Sequence, residues 1–206
     1  MNNIVISYHL KLYKEIDVVV GLIENGLTHF HLRKHDLSIY EYRKILLEIP
    51  SEYHNRIILH SHFELLQEFD LKGYHLTSEE RSNVVIPENN LTKSTFAKDF
   101  NILPELDGRF EHIIIGPVFK SISKRDLEVR YNHDFLCTQF RENDFKSQIL
   151  AIGGIKENTT EIALNYGFSG VAILGSIWAT YMETFNVQAA IDKYISIRNV
   201  SVVMKN

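Results

Sequence analysis

Short apolar runs alternate with helix-period segments along almost all of this 206-residue chain, and that rhythm limits the fold more than any other feature. Residues 4–7, 28–33, 56–60 and 73–76 read as strands, followed by a weaker one somewhere within 84–94, then 111–115, 149–152 and 170–174. Between them, residues 15–25 place Val18, Val19, Leu22 and Ile23 on one helical face and stop at Gly26. Further helices are expected at 38–48, ending before Pro50, at 63–68, at 159–166 closed by Gly167, and at 186–197. Strands alternating with helices imply a parallel α/β sheet. Eight such units in about 200 residues match a compact (β/α)8 TIM barrel at the small end of its range; a doubly wound open sheet is the alternative. Pro and Gly fall singly at element ends and no linker interrupts the pattern, so residues 1–206 read as a single barrel domain.

The charge balance narrows the partners. A net charge of −4 leaves no electrostatic footprint for nucleic acid. Basic residues gather only locally, at Arg33-Lys34 and between Lys120 and Arg125, which suits a small anionic ligand. One cysteine excludes an internal disulfide framework and fits a reducing compartment; Cys137, within Phe-Leu-Cys-Thr, reads as a packing residue. The N-terminus lacks a basic region followed by a long apolar run, and no stretch approaches the ~20 apolar residues that span a bilayer. A soluble cytoplasmic protein without a membrane partner is the expectation, with a homo-oligomer left open.

The chemistry concentrates at strand ends. Ala151-Ile152-Gly153-Gly154-Ile155 and Gly170-Val171-Ala172-Ile173-Leu174-Gly175-Ser176 each read as a buried strand that breaks into small residues before a helix. Bare backbone amides and a helix N-terminus form an anion cradle, and the loops after strands 7 and 8 are the usual phosphate site of such barrels. On the second strand, alternation puts His29, His31 and Arg33 on one face, with Phe30 and Leu32 turned toward the helices. Arg33, at the strand's exit, is placed to grip a phosphate with two parallel hydrogen bonds. The loop Gly116-Pro117-Val118-Phe119-Lys120-Ser121-Ile122-Ser123-Lys124 offers hydroxyls and ammonium groups suited to a diphosphate.

From Thr28 to Trp178 the chain resembles the thiamine phosphate synthase and thiazole tautomerase superfamily of small (β/α)8 barrels. The resemblance is carried by His31-Leu32-Arg33, Gly73-Tyr74-His75-Leu76, Gly116-Pro117-Val118-Phe119 with Lys124, Ala151-Ile152-Gly153-Gly154-Ile155 and Gly170-Val171-Ala172, in that order. It implies an enzyme of thiamine biosynthesis that joins hydroxymethylpyrimidine diphosphate to thiazole phosphate and releases pyrophosphate, with Mg2+ as cofactor. Carried over by position, Arg33, Ser94, Ser121, Ser123 and Lys124 hold the diphosphate, while Gly153, Gly154, Leu174 and Gly175 serve the thiazole phosphate.

The departures from that pattern share a direction. The family's glutamine before the strand-two arginine is His31 here, and its following lysine is His35. The Asn-Asp pair after strand three is His60-Ser61, which removes a magnesium carboxylate and leaves Glu80 at the second one. His31, His60 and His75 are expected to meet at the barrel mouth, as hydrogen-bonded pocket groups, as substrate-binding or proton-exchanging groups, or as ligands of a transition metal. His9, His54, His112 and His133 show no such convergence. A thiazole tautomerase and a non-catalytic phosphate-ligand binder are the alternative functions; Pro117, where tautomerases carry histidine, favours the synthase.

Overall fold

The computed structural model describes residues 3–34, 36–86, 90–120 and 131–203, the side chains of 201–203 excepted. Eight strands, β1 (Ile4–Ile6), β2 (His29–Leu32), β3 (Ile57–Leu59), β4 (Gly73–Leu76), β5 (Thr92–Ala97), β6 (His112–Ile115), β7 (Gln148–Ile152) and β8 (Gly170–Ile173), pair in chain order. All pairings are parallel, and β8 returns to β1 through Ile4↔Ala172 and Val5↔Ile173, so the barrel is closed. The helices are α1 (Glu15–Glu24), α2 (Ile39–Glu48), α3 (Glu80–Asn83), α4 (Leu103–Leu106), α5 (His133–Glu142), α6 (Glu157–Tyr166), α7 (Gly175–Thr184) and α8 (Val187–Val203). Among the described residues no helix is long and apolar enough to cross a membrane.

Local chemistry explains the boundaries. Ser38 caps α2, and Glu41 reaches back to the Ser38 amide in a reciprocal capping box. Gly167, at φ 112°, stops α6 in the left-handed conformation that favours glycine. Two expectations are corrected. The helix expected at 63–68 is a 3-10 turn, Phe63–Gln67, because its bonds close over three residues, from Leu65 N to the His62 carbonyl and from Glu68 N to the Leu65 carbonyl. The fifth strand begins at Thr92, later than the 84–94 window suggests, and it turns Thr92 and Ser94 inward. Such a polar inner face leaves no apolar run to detect.

Two apolar layers follow from strand alternation. Val5, Phe30, Leu32, Ile57 and Leu59 face the helices and join the large outer core. Ile4, Ile6, Ile114, Leu150 and Ala172, with Phe96, Ile152 and Leu174 against them, fill part of the barrel itself. Imidazole takes much of the remaining interior, beside Ile58, Thr92 and Ser94. The register places His29 beside Ile4, His31 beside Ile6, His75 beside Ser94 and Ser94 beside His112, all turned inward. A barrel interior is normally packed in layers contributed by alternate strands, with branched apolar residues dominating. Here the lowest even-strand layer combines His29 and His112 with Gly73 and Gly170. The two rings meet edge to face at 4.7 Å in the space that the glycines leave. His112, for which the sequence shows no convergence, is thus fully buried against His29.

Burial holds these rings neutral. His29 is pushed down to about 3, first by burial and then by His112, Lys72 and Arg56. His75 is also pushed down to about 3, by burial and then by Arg33 and Arg81, and burial puts His31 well below the usual histidine range. The unfolded chain therefore binds protons below pH ~6.5 that the folded barrel refuses, so stability is present above that pH and is lost as pH falls toward 3. Each ring contributes about 1.4 kcal/mol per pH unit, and the three together on the order of 4. Urea unfolding in a chelating buffer should lose stability at about that slope between pH 6 and 5, and His29→Gln should flatten it by roughly one ring's share. A pH-independent midpoint across that range would contradict the neutral-core assignment.

Candidate active site at the barrel mouth

Parallel closure sends every strand's C-terminal end to one face, where His31, His60 and His75 gather. His31 is fully buried, and its Nδ1 lies 2.9 Å from His60 Nε2. His60 stacks on His75 at 4.2 Å between ring centroids with 13° between planes, and His31 meets His75 at 5.6 Å. One nitrogen from each ring falls within 4.8 Å of the others. Ser94 Oγ sits 2.9 Å from His75 Nδ1 and donates to the Tyr74 carbonyl at 3.3 Å. Ser94 is completely buried, so it supports His75 from below and does not stand at the mouth surface.

Arg33 and Lys34 are neighbours with opposite environments. The Arg33 amide donates to Ser7 Oγ at 2.8 Å, and that hydroxyl donates back to the Arg33 carbonyl at 2.7 Å. Its backbone is thereby clamped to the end of β1. The guanidinium is exposed, with no ion pair to another described residue. Lys34 turns away. Its Nζ lies 2.5 and 2.7 Å from the two Glu15 oxygens and donates to the carbonyls of Tyr8 and Leu10 at 2.8 Å. Tyr42 holds the Lys34 backbone, accepting from its amide at 2.8 Å. Burial pushes Lys34 down and Glu15 up, and each offsets the other's shift. The adjacent lysine therefore anchors the β1–α1 loop and does not reach a ligand at the mouth. Sequence spacing alone did not signal the Lys34–Glu15 pair.

The glycine-rich turns meet as well. Gly153 and Gly154 have φ values of 97° and 64°, and an added Cβ would stand 2.6 Å from Pro117 Cβ or from the Lys120 carbonyl oxygen, respectively. Their bareness thus admits the loop after β6, whose Val118 amide donates to the Ile152 carbonyl at 2.8 Å. Ser176 Oγ donates to the Ile155 carbonyl, tying the first turn of α7 to the turn after β7. The two helix starts differ. Thr159 satisfies the Lys156 amide at 2.9 Å at the start of α6, whereas Leu174 before α7 provides no side-chain cap. The first amides of α7, beginning at Gly175, therefore have no side-chain cap, an arrangement that suits an anion. Ser121, Ser123, Lys124 and His35 lie outside the described residues.

A metal of the hard-oxygen type is poorly served here. Glu80 Oε2 accepts the Thr77 amide at 2.8 Å and closes a local cap, with Thr77 Oγ1 accepting the Glu80 amide at 3.3 Å. Among the described residues the groups able to hold a cation all contain histidine, and none is an oxygen set of the sort magnesium prefers.

Fold and site together define a (β/α)8 barrel enzyme whose C-terminal face carries an uncapped helix start, a clamped arginine and an imidazole cluster. A family model described as thiamine monophosphate synthase matches residues 3–177, and the chain belongs to that family, an enzyme family of thiamine biosynthesis. Thiamine-phosphate synthase of Streptococcus suis is 26% identical, covering 94% of this chain and 91% of the relative. That of Dictyoglomus thermophilum is 21% identical over 91% and 88%. Among solved structures, thiamine phosphate pyrophosphorylase from Bacteroides thetaiotaomicron superposes with a TM-score of 0.84 at 24% identity over 98% of both chains. That from Pyrococcus furiosus gives 0.72 at 20% identity over 97% and 94%.

The buried pair yields a direct test. Lys34→Met strands the Glu15 carboxyl and should lower unfolding free energy by about 3–5 kcal/mol, whereas Lys34→Met with Glu15→Leu should recover most of that loss. Urea midpoints of both variants at pH 7 check it; an unchanged single mutant would refute the anchoring role.

Proposed function

We propose that this protein is a thiamine phosphate synthase, transferring the hydroxymethylpyrimidine group of its diphosphate to the nitrogen of thiazole phosphate. The observation that carries the reading is the Ser176–Ile155 tie, which brings the uncapped α7 start beside the glycine turn after β7 at the same mouth as Arg33. The thiazole phosphate would rest on the amides of Gly154 and Gly175 near Leu174. The diphosphate would face Arg33, with Ser121, Ser123 and Lys124 completing its grip.

The bond chemistry suits such a site. The methylene carbon–oxygen bond breaks, both electrons leave with pyrophosphate, and the thiazole nitrogen lone pair forms the new carbon–nitrogen bond. No proton has to move in those two steps. The site's task is to stabilise charge gathering on the leaving oxygens, which a preorganised guanidinium does well. The residues described here do not form a magnesium cage, so no step is assigned to that ion.

The tautomerase alternative needs a histidine that takes and returns a proton near neutral pH. His31 and His75 are held well below that range by burial, which weighs against it. Purified protein given both substrates should form thiamine phosphate and pyrophosphate. Thiazole isomerisation instead would support the tautomerase, and thiazole phosphate binding with neither reaction would support a non-catalytic binder. Under the synthase reading, Arg33→Ala should lower kcat on the order of 100-fold, with Arg33→Lys recovering only part because an ammonium lacks the planar fork. Full turnover in Arg33→Ala would sink the diphosphate assignment.

A further inference from the structure

We propose that His31, His60 and His75 form a three-imidazole site for a divalent transition metal of the zinc class, with a coordination position open to the barrel mouth. Imidazole nitrogen suits zinc, copper, iron and nickel, whereas magnesium prefers oxygen. The three nitrogens already lie within 4.8 Å of one another, drawn from the ends of three successive strands. A tetrahedral zinc with bonds of about 2.0–2.1 Å brings its ligands to roughly 3.4 Å apart, so binding draws the three nitrogens closer than the 4.8 Å within which they lie.

Hydrogen bonding prepares the set. Ser94 Oγ lies 2.9 Å from His75 Nδ1 and 3.3 Å from the Tyr74 carbonyl, so it can donate to that carbonyl while accepting from a protonated Nδ1. In that tautomer the lone pair is on Nε2, the arrangement in which a supporting partner orients a metal-bound histidine. His31 carries the unsettled polarity. Its ring is fully buried, its Nδ1 faces His60 Nε2 at 2.9 Å, and its Nε2 finds no hydrogen-bond partner among the described residues. A buried nitrogen left in that condition is costly. His60, half-buried and outermost, stacks parallel to His75, so metal binding requires its ring to turn until its lone pair converges with theirs. The neutral imidazole is the form that ligates.

Three protein ligands leave a fourth position, as in catalytic zinc sites. That position would accept an anionic oxygen, such as one from a diphosphate. This last step rests on reading the mouth as the diphosphate pocket, while the three-histidine set does not.

The test uses untagged, chelator-stripped full-length protein and cobalt(II) or zinc alone. One equivalent should bind, with the visible absorption of four-coordinate cobalt, and X-ray absorption of the zinc form should show imidazole nitrogens at about 2.0–2.1 Å. His75→Asn should abolish the cobalt spectrum. Ser94→Ala, a milder change, should weaken affinity about 10–100-fold. His29→Asn, in the lower pair, should leave the spectrum intact. An oxygen-only or octahedral spectrum, or a spectrum that survives His75→Asn, overturns the site. Pyrophosphate should then shift the cobalt bands, and bands that do not move overturn the open position. A cobalt signature in a protein with no synthase turnover would leave the metal site standing and refute the proposed function alone.

Discussion

The return of β8 to β1 is the constraint on which the rest of this structure depends. Ile4↔Ala172 and Val5↔Ile173 turn an open sheet into a ring, and a ring of parallel strands has one face where all the C-terminal ends emerge. The clamp on Arg33 uses Ser7, one residue beyond β1. The Ser176 tie uses the residues just beyond β7 and β8. The indole of Trp178 in α7 donates to the Ile6 carbonyl at 2.7 Å, so the helix that offers its bare start is itself pinned to β1. An open sheet would leave β1 and β8 at opposite edges and separate these groups.

Closure also dictates what the interior must tolerate. Any residue at an inward position is removed from water, whatever its polarity. Five histidines occupy such positions in β2, β4 and β6 and at the end of β3, where branched apolar side chains are usual. A neutral imidazole fills volume much as a leucine does, yet it brings two nitrogens that want partners. Thr28 serves His29 at 2.9 Å, Ser94 serves His75, and His60 serves His31. The core is thereby specified by polar pairing as well as by shape. It is also less tolerant of acid than an aliphatic barrel interior.

The alternation that reveals a barrel is the same alternation that predicts which side chains point inward, and both were legible. His31, His60 and His75 could be placed together because each falls at an inward position near a strand's end. His112 was equally readable from His-Ile-Ile-Ile, since it shares a face with Ile114, but its partner His29 lies 83 positions earlier and only register makes them neighbours. The fifth strand was blurred because Thr92 and Ser94 face inward where apolar residues are expected. The glycine pair was readable as a place of close approach. What approaches first, however, is the chain's own Pro117 and Lys120, and that contact depends on long-range geometry.

Lys34 and Arg33 show why adjacent cations cannot be assigned together. An ammonium is a compact donor that can be satisfied within a shell of carbonyls and one carboxylate, and Lys34 finds that shell beneath the β1–α1 loop. A guanidinium placed there would leave some of its five N–H groups unmatched. Arg33 instead keeps a fixed backbone and a side chain in solvent, and its charge is felt at His75, where it helps hold the ring neutral. The mouth thus presents positive charge from Arg33 and from the amides of α7, with uncharged imidazoles below the rim. That distribution favours ligands carrying negative charge on more than one group over those whose charge is positive or buried in a ring.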